Sequence, residues 1–374
     1  MTEKTTEVIM LDGLRVPEGS PILRRHVRPP ERRTAIYTER FDRRTLFYDA
    51  VALAGQDAVL LTAPRFLNLW PILRDGLRRD GRRLPRHALH RRTYLRCEQV
   101  LIKHPGGALS LEMMGHSYEI NVRRSGQPLF AGRRVVMAVN KNNDLEWVRD
   151  WARFHAHRHR ADGVLIFDNG STSYTPDALA ENLADMPELA RAVVIAAPFP
   201  YGPADKGGRF DVPPRFFQTA MFNLARRDLV ANAASVLSVD IDELVDGPQG
   251  ESIFAAAEMS RLGMVTFPGI WTFPAPGTEG PAPQRTHVFQ PPHPDRCHQK
   301  WCIAPAGPMG RVAWNVHKLG GPLQPLFTMS RKFRLLHCRA ASTGWKPDRF
   351  LLPGDLQKDA EISALFKDAF GEEA

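Results

Sequence analysis

Two short apolar runs separated by one amphipathic segment constrain the fold of this chain more than any other feature. Residues 134–139 (RVVMAV) and 163–168 (GVLIFD) are continuous and rich in β-branched side chains, as expected of parallel strands buried on both faces. Between them, apolar residues recur at helical spacing at Leu145, Val148 and Trp151. The pattern predicts a βαβ unit, and therefore a parallel sheet covered by helices.

The segment between these strands is predicted to be one capped helix. Asn143, with a glutamate three residues later, is the expected N-terminal cap, and Gly163 is the expected C-terminal one. The helix carries His155, His157 and His159, and no glutamate stands where a zinc protease motif requires one. We therefore expect a basic helix face at these histidines.

Helices and apolar runs continue to alternate as far as residue 242, after which the chain is richer in proline and less regular. The predicted fold class is α/β, with a Rossmann-like, mostly parallel sheet domain over residues 131–352. Strand-like segments before it predict a small β-rich domain over residues 46–130. An extended arm is expected over residues 1–45 and a helical tail over residues 353–374.

The composition is that of a globular protein, with 43% hydrophobic and 24% charged residues. The first 20 residues lack the basic and apolar regions of a signal peptide, which predicts a cytoplasmic protein. Four cysteines in 374 residues favour reduced thiols over a disulfide framework, and their spacing matches no common zinc pattern.

Positive charge is concentrated in the first third of the chain. Residues 1–134 hold 25 Lys and Arg against 14 Asp and Glu, a net of +11, whereas the remaining residues hold 25 against 27, a net of −2. Such asymmetry favours contact with phosphates, an anionic polymer or an anionic inner-membrane surface, the alternative being a solvated arginine-rich surface. No nucleic acid partner is expected, because aromatic residues are not interleaved with the basic ones.

Polar side chains follow three of the predicted strands, at the edge where open parallel sheets bind ligands. They are Asn140 and Asn142 after the first strand, Asp168 at the end of the second, and Asp240 and Asp242 after the fourth. Carboxylates at positions i and i+2 can both reach one hard divalent ion, and Mg²⁺ or Mn²⁺ completes its shell with phosphate oxygens and water. The acid pair therefore predicts a metal ion that bridges a diphosphate.

The segments VVMAVNKNNDLEWVRDWARFHAHRHRADGVLIFDNGST and VLSVDIDEL resemble the GT-A-fold glycosyltransferases, and more narrowly their family-2-like and family-92-like group. The resemblance extends over roughly residues 133–350 and implies transfer of a sugar from a nucleotide-sugar donor to a glycan or lipid-linked acceptor. Leu244 departs from the group, in which phenylalanine usually follows the D-x-D-E sequence.

The resemblance also implies roles for individual residues. Asn140 and Asn142 would line the nucleotide pocket, Asp168 would bind the base or ribose, and Lys300 would contact the donor phosphates. The metal would be held by Asp240 and Asp242, with His337 completing its shell and Lys346 binding the diphosphate.

Two questions stay open in the sequence. An inverting reaction needs a carboxylate base near the acceptor, for which Glu243 and Asp295 are candidates. A D-x-D sequence after an apolar strand also occurs in phosphatases of the haloacid-dehalogenase type, where the first aspartate is a nucleophile. The other alternative is a basic nucleic-acid-binding or membrane-binding protein, formed by the first third of the chain.

Overall fold

The computed structural model describes residues 5–103, 106–203, 212–320, 324–341, 343 and 347–371. Lys346, predicted to bind a diphosphate, lies outside the described residues. The chain divides into a large unit, formed by Met1–Ile9, Leu129–Ala196 and Val230–Ala374, and a small unit, formed by Met10–Pro128 and Ala197–Leu229.

The strands of the described residues are numbered along the chain. They are β1 (Thr5–Met10), β2 (Leu14–Arg15), β3 (Thr45–Phe47), β4 (Asp49–Ala52), β5 (Ala58–Ala63), β6 (Leu77–Arg79), β7 (Arg82–Arg83), β8 (Leu89–Thr93), β9 (Glu98–Lys103), β10 (Leu109–Met113), β11 (His116–Glu119), β12 (Arg134–Asn140), β13 (Gly163–Asp168), β14 (Arg191–Ala196), β15 (Ser235–Ser238), β16 (Glu243–Asp246), β17 (Met264–Thr272), β18 (Phe289–Gln290), β19 (Arg296–Ile303), β20 (Arg334–Cys338) and β21 (Gln357–Lys358).

The α-helices are numbered in the same way. They are α1 (Ala35–Arg40), α2 (Trp70–Gly76), α3 (Leu145–His159), α4 (Pro176–Ala184), α5 (Phe217–Arg227), α6 (Ile253–Met259), α7 (Gln324–Thr328) and α8 (Ala360–Phe370). In the part of the chain that the structure describes, none of them is both long and apolar enough to cross a bilayer.

The large unit is built on a mixed sheet of nine strands in the order β1-β14-β13-β12-β15-β19-β17-β20-β16. The pairings of β14, β13, β12 and β15 are parallel, as the βαβ pattern predicts. Beyond β15 the sheet becomes mixed, because β19 pairs antiparallel with both β15 and β17, and β16 pairs antiparallel with β20. The α/β prediction is confirmed, with the parallel pairings concentrated in one half of the sheet.

Strands β12 and β13 match the two apolar runs because side chains on both of their faces are buried. All six residues of β13 are buried, and its register with β12 pairs Asn140 with Asp168 at their carboxyl ends. On one face α3 buries Trp151 and Phe154 against Val136 and other core residues. Removing each such large apolar side chain from water contributes about 1.5–3 kcal/mol to the stability of the fold.

The predicted caps of α3 are both displaced. The N-terminal cap is Asp144, whose carboxylate accepts a hydrogen bond from the Glu146 amide at 2.8 Å. The helix ends at Arg160, which adopts a left-handed conformation with φ of 60°. Gly163 instead begins β13. A Cβ atom at this position would lie 3.0 Å from the ring of Phe130, so the absence of a side chain lets the strand pack closely against that ring.

The prediction of a basic face at the α3 histidines is wrong for two of the three. His155 and His159 are fully buried, and their rings lie 2.8 and 2.7 Å from the carbonyl oxygens of Trp151 and Val245. Burial lowers the pKa of His155 to about 3 and that of His159 to about 4, so both are neutral at pH 7. Only His157 is exposed, beside Asp368 of the C-terminal helix.

The predicted helical tail is α8, and it belongs to the core of the large unit. Phe366 and Phe370 contact the ring of Phe154 on α3, at centroid distances of 6.1 and 5.7 Å. Asp359 caps the helix by accepting hydrogen bonds from the amides of Glu361 and Ile362. The tail is thus a structural element of the sheet unit.

The small unit contains two four-stranded sheets, in the orders β4-β5-β9-β8 and β11-β10-β6-β7. Its core includes Val59, Leu61, Leu73 and Leu111, drawn from both sheets and from α2. The small unit includes residues 197–229 as well as residues 10–128, so its boundaries differ from those of the predicted domain of residues 46–130.

Helix α5 accounts for part of that difference. The sequence places it within the α/β series, but it lies in the small unit, where the Gln99 side chain of β9 donates a hydrogen bond to the Asn223 carbonyl at 3.1 Å. Just beyond α5, the buried Asp228 carboxylate lies 2.8 Å from Arg123, which also pairs with the buried Asp49 at 2.8 Å. A half-buried arginine shared by two buried carboxylates fixes the end of α5 to the sheet of the small unit.

The first 45 residues also differ from the predicted extended arm. β1 lies at the edge of the large sheet, and α1 buries Tyr37 against Phe41. Arg24 is fully buried and donates hydrogen bonds to the carbonyl oxygens of Arg65, Asp42 and Thr45. An arginine that satisfies backbone carbonyls in this way organises the segment around itself, which composition alone does not reveal.

Candidate active site at the end of the parallel strands

Asp240 and Asp242 lie in a tight turn that leads from β15 into β16. The Asp240 amide donates to the Glu243 carboxylate at 2.7 Å, and the Glu243 amide donates to the Asp240 carbonyl at 3.0 Å. The Ile241 carbonyl accepts from the Gln284 side chain at 2.9 Å, and the Asp242 carbonyl accepts from the Cys338 amide at 2.8 Å. Because these backbone groups are satisfied, the turn presents its two carboxylates in a fixed arrangement.

Lys300, on β19, forms an ion pair with Asp240. Its ammonium group is fully buried, 2.8 Å from Asp240 Oδ2 and 2.7 Å from Glu243 Oε2. Burial by itself lowers the pKa of a lysine, but the two carboxylates outweigh that effect and raise the Lys300 pKa above its usual value. Lys300 therefore remains charged and holds Asp240 and Glu243 together.

His337, on β20, occupies the other side of the turn. Its Nε2 atom lies 3.0 Å from Asp242 Oδ2, and its Nδ1 atom lies 3.6 Å from Glu243 Oε1. Burial raises the pKa of Asp242, but the neighbouring His337 and Arg349 more than offset this and lower it to about 2. Asp242 is therefore ionised at neutral pH.

Two further residues complete this side of the site. The Trp271 ring, on β17, stacks on His337 with ring centroids 3.9 Å apart. The guanidinium of Arg349 lies over the same indole, 4.7 Å from its centroid, and 3.5 Å from Asp242 Oδ2. Another of its nitrogens lies 3.2 Å from His337 Nε2. Arg349 thus faces both Asp242 and His337.

The site is assembled from five neighbouring strands of the sheet. In spatial order they are β15, β19, β17, β20 and β16, and they supply or border Asp240, Lys300, Trp271, His337 and Glu243. His337 on β20 is paired directly with Glu243 on one neighbouring strand and with Trp271 on the other. Residues distant in sequence therefore meet because of strand pairing.

Asn140 and Asp168 meet at the adjacent strand ends. The Asn140 side chain donates to Asp168 Oδ1 at 2.9 Å, and the Ser171 amide and hydroxyl donate to the same carboxylate at 3.0 and 2.5 Å. Asp168 is only 1% exposed. A carboxylate offers about four acceptor positions, and three are used here in ordering the loop that follows β13. A contact between Asp168 and a nucleotide stays a prediction.

Asn142 orders the same loop from the other side. Its backbone is left-handed, with φ of 54°, and its side-chain oxygen accepts from the amides of Thr172 and Ser173 at 2.6 and 3.2 Å. The side chain is therefore held within this loop. Its predicted contact with the nucleotide sugar also stays a prediction.

A divalent ion at Asp242 and His337 stays a prediction. Asp242 Oδ2 and His337 Nε2 lie 3.0 Å apart, which is the distance of an ordinary hydrogen bond. Asp240 does not join them, because its carboxylate pairs with Lys300, and within the described residues no three His, Cys, Asp or Glu side chains form a group that could hold a metal ion.

The two candidate bases occupy different environments. Glu243 is 2% exposed, and its carboxylate is held by Lys300 and by the Asp240 amide. Burial raises its pKa despite the opposing effect of Lys300. Asp295 is exposed just before β19, where its backbone carbonyl accepts a hydrogen bond from the Trp271 amide at 2.8 Å. Asp295 therefore borders the cluster through its backbone, whereas the Glu243 carboxylate lies within the cluster, 2.7 Å from Lys300.

Sequence reasoning missed Trp271 and Arg349. Trp271 lies in an apolar strand-like segment, where a tryptophan is typical of a core. Arg349 lies in a short turn between proline and phenylalanine residues. A usable signal was the pairing of an aromatic residue with a histidine across β17 and β20, which requires the strand order to be known.

No protein-family model and no curated protein matches the chain. Among solved structures, S. aureus TarS matches at 16% identity over 40% of this chain and 23% of that one, with a TM-score of 0.26. The mannosyltransferase Ktr4p from S. cerevisiae matches at 12% identity over 42% of this chain and 44% of that one, with a TM-score of 0.26. S. aureus TarS 1–349 in complex with UDP-GlcNAc matches at 14% identity over 64% of this chain and 53% of that one, with a TM-score of 0.25. The chain thus spans less than two thirds of each solved chain, and similarity at these TM-scores does not demonstrate a common fold.

Proposed function

We propose that the chain is a glycosyltransferase that moves a sugar from a nucleotide-sugar donor to a glycan or lipid-linked acceptor. The observation that carries this proposal is the rigid acidic turn at Asp240 and Asp242, bordered by Lys300 and Arg349 at the end of β15. In open α/β sheets this edge is where ligands bind. With a divalent ion bound, the cations and the acids together suit a diphosphate group.

The charges of the cluster support a diphosphate ligand. Three carboxylates, of Asp240, Asp242 and Glu243, face two permanently charged side chains, Lys300 and Arg349. Counted without His337, the cluster therefore carries a net charge of −1, and a divalent ion would change it to +1. A net positive site beside fixed dipoles stabilises the negative charge that develops on a departing nucleoside diphosphate.

In this proposal Asp242 and His337 hold Mn²⁺ or Mg²⁺, and Asp240 orients the turn through Lys300. The ion, when bound, supplies positive charge to the diphosphate as the sugar leaves. Lys300 keeps the turn in place beneath the donor, while Trp271 fixes the plane of the His337 ring. Asn140 and Asp168 order the loop that borders the nucleotide.

The proposal is tested by thermal shift with a panel of nucleoside diphosphate sugars, in the presence of Mn²⁺ and of excess chelator. A bound donor stabilises the fold in proportion to its concentration relative to its dissociation constant. We expect one donor class to raise the melting temperature, and we expect donor hydrolysis or transfer to stop in Asp242→Asn. The matched control is Asp162→Asn, in the same unit but just before the start of β13, where Asp162 pairs with Arg133.

Two outcomes would contradict the proposal. The first is the absence of any nucleotide-sugar shift in the intact chain. The second is metal-stimulated release of phosphate from a simple phosphomonoester that is lost in Asp240→Asn, which would indicate the phosphatase alternative. Full activity in excess chelator, with donor binding intact, would refute the metal ion and leave Arg349 as the cation beside the diphosphate.

A further inference from the structure

The β6–β7 hairpin region of the small unit carries the densest positive charge of the chain. Residues 74–92 contain eight arginines and two aspartates. The arginines are Arg74, Arg78, Arg79, Arg82, Arg83, Arg86, Arg91 and Arg92. The cluster formed by β6, β7 and the turn that follows them is called the basic hairpin below.

The arginines of the basic hairpin face one another across the strand pair. Arg78 is paired with Arg83, and Arg79 is paired with Arg82. Like charges directly opposite each other destabilise a strand pair. β7 is an edge strand, and a single charge is enough to keep an edge from pairing with another chain. Two facing arginine pairs are more charge than the protection of an edge strand requires, and an anionic ligand would offset the repulsion between them.

Few carboxylates balance these arginines. Asp75 is shared by Arg74 at 2.5 Å, by Arg83, and by Arg86 at 3.8 Å. The hydrogen bond from Arg74 is the main cause that lowers the Asp75 pKa to about 2. Arg78 pairs with Glu112 at 2.6 Å. One carboxylate shared by three guanidinium groups leaves the surface positively charged.

An open apolar cleft adjoins the basic hairpin. Its volume is about 480 Å³, and Asp75 and Arg78 form part of its lining. Ile22, Ile72 and Met114 are among the apolar side chains of the lining, and its further polar side chains are Ser20, Glu112, His116 and Ser117. Ile22 and Met114 are 42% and 46% exposed, so both present apolar surface to the solvent beside the basic hairpin.

We propose that the basic hairpin and its cleft bind the surface of an anionic phospholipid bilayer. The guanidinium groups of Arg82 and Arg83 would contact lipid phosphates, and the cleft beside Met114 would accept the apolar part of a lipid. Charge complementarity favours an anionic partner, and the adjoining cleft favours a lipid over a soluble polyanion, which has no apolar part to bury. The surface lies within the small unit, so the proposal does not rest on the transferase function.

The test is sedimentation of the full chain with vesicles of phosphatidylcholine alone or mixed with phosphatidylglycerol at about two to one. Each arginine near an anionic surface strengthens partitioning about fivefold, so Arg82→Gln with Arg83→Gln should weaken it about 30-fold. The double variant relieves like-charge repulsion, and its fold should be retained. The matched control is Arg40→Gln with Arg124→Gln, which removes the same charge from exposed positions of the small unit outside the cleft.

A second variant tests the apolar part. Met114 has a φ of 54°, a conformation that asparagine tolerates, so Met114→Asn removes apolar surface without backbone strain. It should weaken vesicle binding while both arginines remain. Binding should also fall between about 0.1 M and about 1 M salt, as the screening length decreases from about 10 to about 3 Å.

The proposal is overturned if the control double variant weakens binding as much as the hairpin variant, or if neutral vesicles bind equally well. It is also overturned if Met114→Asn has no effect and soluble polyphosphate binds as tightly as the vesicles, since the surface would then recognise a polyanion. If the hairpin variant loses vesicle binding but keeps the nucleotide-sugar thermal shift, the result bears on this surface and not on the proposed transferase function.

Discussion

Lys300→Met should destabilise the large unit strongly, because it leaves a buried carboxylate without a cation. Lys300 is fully buried between Asp240 and Glu243, at 2.8 and 2.7 Å. The Asp240 side chain is 35% exposed and can be rehydrated, whereas the buried side chain of Glu243 cannot. Removing one partner of a buried ion pair costs about 3–5 kcal/mol. The matched control is Lys332→Met, because Lys332 forms an exposed pair with Glu251 that contributes about 0–1 kcal/mol.

The loss should depend on pH. Burial already raises the Glu243 pKa, and without Lys300 it rises further. A carboxyl group whose folded pKa lies above its unfolded pKa favours folding at low pH and loses that contribution as the pH rises through the folded value. The stability gap between variant and wild type should therefore be small near pH 4 and widen with pH, by up to about 1.4 kcal/mol per pH unit.

Urea unfolding followed by tryptophan fluorescence measures this gap, because six of the seven tryptophans belong to the large unit. Adding Glu243→Gln to Lys300→Met should recover most of the loss, since the glutamine stays neutral and still accepts from the Asp240 amide. Equal losses in Lys300→Met and Lys332→Met, or a loss independent of pH, would refute the buried-charge reasoning.

Three other predictions concern the site and the core. Asp168→Ala should weaken the binding of free nucleoside diphosphate by about 1–3 kcal/mol, as measured by calorimetry. Ser171→Ala keeps the carboxylate and should retain the affinity. Equal losses in the two variants would show that Asp168 only orders the loop. Arg349→Gln should tighten Mn²⁺ binding about tenfold in a metal titration, because a nearby cation is removed; weaker binding would show that Arg349 supports the ion. Below about pH 6.5 the fold should lose stability as the pH falls, by up to about 2.7 kcal/mol per pH unit. The reason is that His155 and His159 have folded pKa values of about 3 and 4, so both take up a proton when the chain unfolds. Urea midpoints between pH 7 and pH 5 measure the slope, and His155→Leu should reduce it.

The parallel half of the sheet could be predicted because its strands carry their signal locally. β13 coincides with the apolar run 163–168, and α3 lies at the predicted periodic segment, since full burial on both strand faces leaves a continuous apolar sequence. The same reasoning failed for His155 and His159. Their spacing places them on one helix face, but the sequence does not show that Val245 packs against that face.

The site was predictable only in part, for a related reason. Asp240, Asp242 and Lys300 follow from strand ends and from the resemblance, and the structure brings them within one turn and its neighbouring strand. Trp271 and Arg349 could not be found, because they reach the cluster through the pairing of β17 with β20 and through a turn far along the chain. Non-local pairing has no signature in a short sequence window.

The division of the chain between its two units has a consequence for the order in which it can fold. The small unit needs residues 197–229 as well as residues 10–128, so it stays incomplete during synthesis until Leu229 has left the ribosome. By then the strands β12, β13 and β14 have also been made. At the usual pace of about 5–20 residues per second, the first sheet of the small unit waits roughly ten seconds for α5. Any shortening of the chain near residue 131 would leave α5 without the strands that it packs against.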